Sequence, residues 1–209
     1  MDSQPLQPVR AFVSCSLRTE DEMYVSHIES IVRSFGIEPF GTVGRFSAAP
    51  VNPTILMREN IDLADVVVVV ATPRYSQVDV RTKIQNYGVS EMIHVESGMA
   101  YAKNKPIIVF VRTGTNVGNF LPNVTQYVEL DGSIEMAKRK WNLIKSLFQY
   151  AISVVNYNRR IVDERNSQMN RDSFAKLLLG GAIGAATVAV LFNGENETDD
   201  KKKRTKKRK

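Results

Sequence analysis

The sequence predicts a doubly wound parallel α/β domain, and two observations carry that expectation. Short apolar runs alternate with helix-length amphipathic stretches from residue 9 to about residue 131, the order that right-handed crossovers turn into a parallel sheet. One run, 66–71, is five valines and an alanine without a polar break. An unbroken β-branched run belongs to a central strand covered on both faces. The domain is expected over residues 9–155, behind an N-terminal tail at 1–8.

The elements follow in order. Val9 to Ser14 is a short apolar run that suits a buried first strand. A helix begins at Thr19, where Thr19 and Glu22 have the spacing of a capping box. Tyr24, Ile28, Ile31, Val32 and Phe35 share one helical face, and Gly36 is a C-terminal stop. Ile37 to Phe40 reads as the second strand, and 41–52 as a loop rich in Gly, Ala, Ser and Pro. Pro53 suits the first turn of a helix running to about Ala64. The valine strand comes next, then a polar segment, 72–87, read as a mobile flap. A helix from about Ser90 to Lys103, a fourth strand at 106–111 and a short fifth strand at 126–130 complete the sheet. Ligands on such sheets bind beyond the carboxyl ends of the strands. That rim gathers 14–18, 41–45, 72–75 and the start of the helix bearing Glu96.

Residues 133–157 form one long amphipathic helix in this reading, with Ala137, Trp141, Ile144, Phe148, Ala151, Ile152 and Val155 on its stripe. A polar stalk occupies 156–173. Residues 174–192 are read as a transmembrane helix contacting lipid from Phe174 to Phe192, although the uncharged stretch 177–192 spans only about 24 Å at 1.5 Å per residue. A buried helix of the domain is the alternative. Gly180 and Gly184 form a G-x-x-x-G pair that would let two such helices approach closely. The tail, 193–209, holds eight Lys or Arg in its last nine residues. It suits an anionic leaflet or a nucleic-acid-directed role. Its orientation is open, because arginines and a lysine also precede the segment.

The tail distorts the charge balance. The 209 residues carry a formal charge of +6, but outside the last nine residues 20 basic side chains face 22 acidic ones. A mildly acidic body weighs against nucleic acid as a partner of the folded domain. One cysteine excludes an internal disulfide, and two histidines beside it make a zinc site a poor fit. No metal and no cofactor are expected. Residues 1–10 lack the apolar centre of a signal peptide, so a single-pass membrane protein with a cytoplasmic N-terminal domain is expected.

Glu96 is the most informative residue for chemistry. Its helical neighbours Met92, Ile93, Met99 and Ala100 are apolar, and no basic side chain is placed to pair with it. A carboxylate among apolar groups has its pKa raised by desolvation, a cost found mostly where the group is used. A solvated helix glutamate is the other reading. Ser14, Ser16 and Arg18, where a strand gives way to a helix, are placed to meet phosphate or ribose oxygens or to serve turn chemistry. Tyr75 is placed to stack on a base or to pack half-buried. His94 reads as structural and Cys15 as a small buried filler.

The run Phe12-Val13-Ser14-Cys15-Ser16 followed by Asp21, the stretch 64–75, and the spacing of Ser90 to Glu96 resemble Toll/interleukin-1 receptor (TIR) domains. Glu96-x-Gly98-x-Ala100 and Lys105-Pro106-Ile107-Ile108 also resemble nucleoside 2-deoxyribosyltransferases. Together the resemblances cover roughly residues 9–131 and imply a flavodoxin-like parallel five-stranded sheet with helices on both faces. They imply Glu96 as the reacting carboxylate, Ser90 as part of the site, and Arg45 in a loop that closes over ligand, where a plain surface arginine is the alternative. The aspartate that partners the transferase glutamate has only Asp79 as a remote counterpart.

The expected function is a membrane-tethered nucleotide N-glycosidase. It cleaves the nicotinamide–ribose bond of NAD, which is substrate and not cofactor, and the resemblance implies a defence or cell-death role with a homo-oligomer. Two alternatives stand beside it. One is a non-catalytic TIR-like module that senses a nucleotide or self-associates. The other is a membrane effector acting through its helices.

Overall fold

The computed structural model of the chain describes residues 7–194, with side chains described to residue 169. Two units divide the chain, Met1–Tyr157 and Asn158–Lys209. The first unit contains the sheet.

Its elements are strand β1 (Val9–Ser14), a 3-10 turn (Thr19–Asp21), helix α1 (Glu22–Ser34), β2 (Ile37–Phe40), α2 (Pro53–Leu63), β3 (Val66–Ala71), a hairpin of β4 (Tyr75–Val78) and β5 (Gln85–Gly88), α3 (Glu91–Ala102), β6 (Ile107–Arg112), α4 (Phe120–Val124), β7 (Tyr127–Leu130), α5 (Ile134–Arg139) and the start of α6 (Trp141–Gly194). Five strands form one sheet in the order β2-β1-β3-β6-β7, and every neighbouring pair is parallel.

The valine strand shows why the sequence folds this way. All six residues of β3 are buried, and successive side chains point to opposite faces. Val66, Val68 and Val70 enter one core with Ile28 and Val32 of α1 and Ile144 and Phe148 of α6. Val67, Val69 and Ala71 enter the other with Met57 and Ile61 of α2, Ile93 of α3 and Leu121 of α4. Both faces are covered, so no position on the strand tolerates a polar side chain.

The strand order reverses beside β1. The chain leaves β1 toward β2 on one side and returns to β3 on the other, which opens a crevice between the β1 and β3 exits. Period two along β1 fixes what faces that crevice. Phe12 belongs to the α2–α3 core, so Ser14, two residues on, points to the α3 side.

The loop after β2 is held by two buried hydrogen bonds. Thr42 Oγ1 donates to the Val13 carbonyl at 2.6 Å, and Asn60 Nδ2 donates to the Gly41 carbonyl at 2.8 Å. Gly41 has φ +77°, and a Cβ there would lie 2.9 Å from Asn60 Cβ and 3.3 Å from the Phe12 ring. Gly41→Ala is therefore expected to destabilise the fold by about 1–3 kcal/mol, through left-handed strain and the clash together. The shift of the urea midpoint measures it.

Four expectations are corrected. The capping box does not form: Thr19–Asp21 is a 3-10 turn, and neither that turn nor α1 has a side-chain cap. The polar segment 72–87 carries an antiparallel hairpin in which Tyr75 pairs with Gly88 and Val78 with Gln85. The single helix expected over 133–157 is two, α5 and α6, separated at Lys140. The stripe itself buries Ala137, Ile144, Phe148, Ala151 and Val155, with Trp141 stacked on Phe35 at 5.4 Å.

The fourth correction concerns the membrane. Among the described residues no helix is long and apolar enough to cross one, which overturns the single-pass placement and the lipid contact at 174–192. The uncharged stretch has only sixteen residues, eight of them Gly, Ala or Thr, too short for a hydrocarbon core of about 30 Å. The side chains of the G-x-x-x-G pair and the basic tail lie outside what the structure describes.

Candidate functional site

A cleft of about 430 Å³ opens at the carboxyl ends of the strands, within the size range of small-molecule sites. Four segments wall it. Cys15 to Arg18 leave β1, Thr42 and Val43 leave β2, Thr72 and Arg74 leave β3, and Ser90, Met92, Ile93 and Glu96 come from α3. Pro53, Thr54 and Met57 of α2 close one side. The lining mixes apolar side chains, Val43, Pro53, Met57, Met92 and Ile93, with polar and charged ones.

Glu96 reaches the cleft because α3 is seated by its N-terminus. The Ser90 side chain caps it by accepting from the Met92 amide at 3.3 Å. Ile93 and Ala100 then face the core, which turns Glu96 toward the β1 exit. There Ser14 Oγ donates to Glu96 Oε2. Among the described residues no cation pairs with Glu96. Burial pushes its carboxyl pKa up to about 7, against the opposing pull of the Ser14 hydrogen bond. Near neutral pH the group therefore populates both the carboxylate and the acid, a condition suited to proton transfer.

A second carboxyl organises the rim without entering it. Asp21 is 1% exposed. It accepts from Arg18 Nη2 at 2.8 Å and Nε at 3.1 Å, from Thr72 Oγ1 at 3.1 Å and from Arg112 Nη1 at 3.3 Å. Burial alone would raise its pKa; the hydrogen bonds from Ser16, Arg18 and Thr72 outweigh it and hold the carboxyl below its usual range. Cys15 lines the cleft as a neutral thiol, its pKa pushed to about 12 by burial.

No family model matches the chain, and no curated protein matches it. Among solved structures it is similar to the Clostridium botulinum CMP N-glycosidase BcmB, at 19% identity over 64% of this chain and 98% of that one, with a TM-score of 0.42. It is also similar to BlsM, at 20% identity over 71% of this chain and 94% of that one, with a TM-score of 0.45. Likenesses this distant do not bear on what the cleft does.

Of the residues singled out from the sequence, Glu96, Ser16, Arg18 and Ser90 line the cleft together. Ser14 stands behind the wall, buried and bonded to Glu96. Arg18 is spoken for: besides Asp21 it pairs with Glu20 at 3.3 Å and donates to the Pro73 carbonyl. Tyr75 is 40% exposed on the hairpin and outside the cleft lining. Asp79 sits at the hairpin turn and accepts from the Arg81 and Thr82 amides. His94 packs edge-on against Phe120.

Arg45 is not brought to the cleft. It makes a two-pronged contact with Glu29, 2.6 Å and 3.1 Å, and a bond of 3.2 Å to Ser26 Oγ. Glu29 is 3% exposed, so Arg45→Ala would leave a buried carboxylate with only Arg33, 3.8 Å away, as an ion-pair partner among the described residues. That variant is expected to lose about 3 kcal/mol. Arg45→Ala combined with Glu29→Gln should lose much less than the two single changes summed. Urea titrations of the three variants test this, and simple additivity would show that the pair is not coupled.

The sequence reading set Thr72 and Arg74 on the rim without giving either a role, and it passed over the α2 wall. For Arg74 a signal existed, since it follows the valine strand at its carboxyl end. Glu29 also had one: it lies at i+4 from Val25 and i−3 from Val32, on a face that proves buried.

Proposed function

We propose that the chain is a nucleotide N-glycosidase in which Glu96 is the reacting carboxylate. The observation that carries the proposal is the placement of Glu96: on the wall of the cleft, without a cationic partner among the described residues, desolvated, and fixed in direction by Ser14. Breaking a bond between an anomeric carbon and a base nitrogen sends the electron pair away with the base and leaves positive charge on the ribose. A carboxylate in a dry, preorganised setting stabilises that charge or bonds to the anomeric carbon. Water then completes the exchange, adding hydroxyl to the sugar and giving a proton that the carboxylate accepts and releases to solvent. The same use of carboxylates underlies glycoside hydrolysis.

Within that class the finer proposal is NAD, split at its nicotinamide–ribose bond. Its support is the sequence resemblance at Ser14 to Ser16, 64–75 and Ser90 to Glu96. A defence or cell-death role is inferred from the same resemblance, and depletion of NAD in cells expressing the chain is its test. For NAD the leaving nicotinamide is neutral, so no acid is needed to protonate it, which suits a site with one carboxyl.

The test is release of free base from NAD and from a panel of nucleoside monophosphates, with Glu96→Gln as the control. Base release that survives this substitution would remove Glu96 from the chemistry. Tight binding without turnover of any nucleotide would give the non-catalytic sensing module instead.

A further inference from the structure

We propose that Arg74 is the phosphate anchor of the cleft, recognising the phosphate ester on the 5-position of the reacting ribose. The inference deepens the glycosidase reading and rests on it for the identity of the sugar. Two arginines line the cleft, Arg18 and Arg74, and they are not equivalent. The donors of Arg18 are already used by Asp21, Glu20, Ser16 and the Pro73 carbonyl, and its charge is met by two carboxylates. Arg74 ion-pairs with no carboxylate among the described residues. Its guanidinium lies 6.0 Å over the Tyr75 ring, a contact with the ring face that leaves the planar edge and its N–H donors available.

The backbone that carries Arg74 is fixed at three successive residues. Thr72 Oγ1 is bonded to Asp21 at 3.1 Å, the Pro73 carbonyl accepts from Arg18, and the Arg74 amide donates to the Gly88 carbonyl at 2.7 Å. The root of the side chain is thus preorganised while its head is uncommitted. That combination favours binding an anion, because little order remains to be imposed when it arrives. A phosphate offers oxygens that match the fork of a guanidinium. Arg74 leaves the exit of β3, and Glu96 comes from α3, so the two project from different walls of one cleft. A ribose between them presents its anomeric carbon to one and its 5-substituent to the other.

The test uses probes whose reacting ribose carries no base, so that it does not depend on which base leaves. Binding of ribose, ribose 5-phosphate and ADP-ribose to the full chain is measured by calorimetry, for the wild type, Arg74→Ala and Arg74→Lys. The phosphate is expected to tighten binding of the sugar about tenfold or more. Arg74→Ala should erase that advantage while leaving ribose itself within about twofold, and Arg74→Lys should restore part of it. Preference for ribose 5-phosphate identifies a terminal phosphate as the natural group, and preference for ADP-ribose identifies a diphosphate carrying a further nucleoside. Equal binding of ribose and ribose 5-phosphate, or a phosphate advantage that survives Arg74→Ala, overturns the proposal. Failure of base release leaves this readout untouched, so the two readings fall separately.

Discussion

Glu96→Gln is expected to lower base release by about a thousandfold at neutral pH, within the range that loss of one positioned acid–base or charge-stabilising group produces. The isosteric amide keeps the contact with Ser14 and removes the charge. With a carboxyl pKa of about 7, and the ionised form reactive, wild-type kcat/KM should rise with pH and level off above that value. Ser14→Ala removes the hydrogen bond that pulls the pKa down, so its profile should move to higher pH. An unmoved profile would mean that the titration belongs to another group.

The same shift makes a prediction for stability, of opposite sign. The folded pKa of about 7 lies above the ordinary value of 4.5, so between these values the folded state binds more protons than the unfolded one. The contribution is fully favourable below about 4.5 and is lost as pH rises through 7, a change on the order of 3 kcal/mol. Glu96→Gln should therefore be more stable than the wild type at pH 8 and nearly equal to it at pH 4.5. Urea unfolding at the two pH values separates these outcomes.

Asp21→Ala is expected to cost about 3–5 kcal/mol and to abolish turnover with it. The carboxyl ties Arg18 from the β1 exit, Thr72 from the β3 exit and Arg112 at the end of β6, and these three strands are adjacent in the sheet. Removing it takes a carboxylate from two guanidinium groups and leaves a buried hydroxyl without its acceptor. Because its pKa is lowered, the stability it contributes is present above the ordinary carboxylate range and lost as pH falls through the lower folded value. Acid unfolding of the wild type should thus begin below about pH 4, while Asp21→Asn, which keeps an acceptor without the charge, should lack that added loss of stability on acidification. Circular dichroism across an acid titration measures both. Wild-type stability in Asp21→Ala would show that the linkage contributes nothing.

What the sequence disclosed followed from how local each signal was. The valine run at 66–71 can be read directly because both of its faces are buried, so every position obeys one rule. Glu96 stood out because its helical neighbours are fixed by the 3.6 period alone. Asp21 gave no such sign, for its partners Thr72 and Arg112 lie 51 and 91 residues away. Arg45 was misleading for the same reason: its loop suggested a ligand contact, and the partner it took, Glu29, belongs to an earlier helix. The hairpin escaped notice because all four residues of β4 are exposed, so no apolar alternation marked it as strand. The membrane reading gave weight to the missing charges at 177–192 and too little to its small residues.

The meeting of the Arg74 amide with the Gly88 carbonyl has an architectural consequence. Residues 75–87 depart from and rejoin the chain at a single point, with the Asn116 amide donating to the Tyr87 carbonyl beside it, an excursion rather than a link in the crossover. Lengthening or trimming such an appendage barely alters the entropy of closing it, and it leaves the path from β3 to α3 as it was. A change of length at the turn between β4 and β5 leaves the five strands of the main sheet paired as they are.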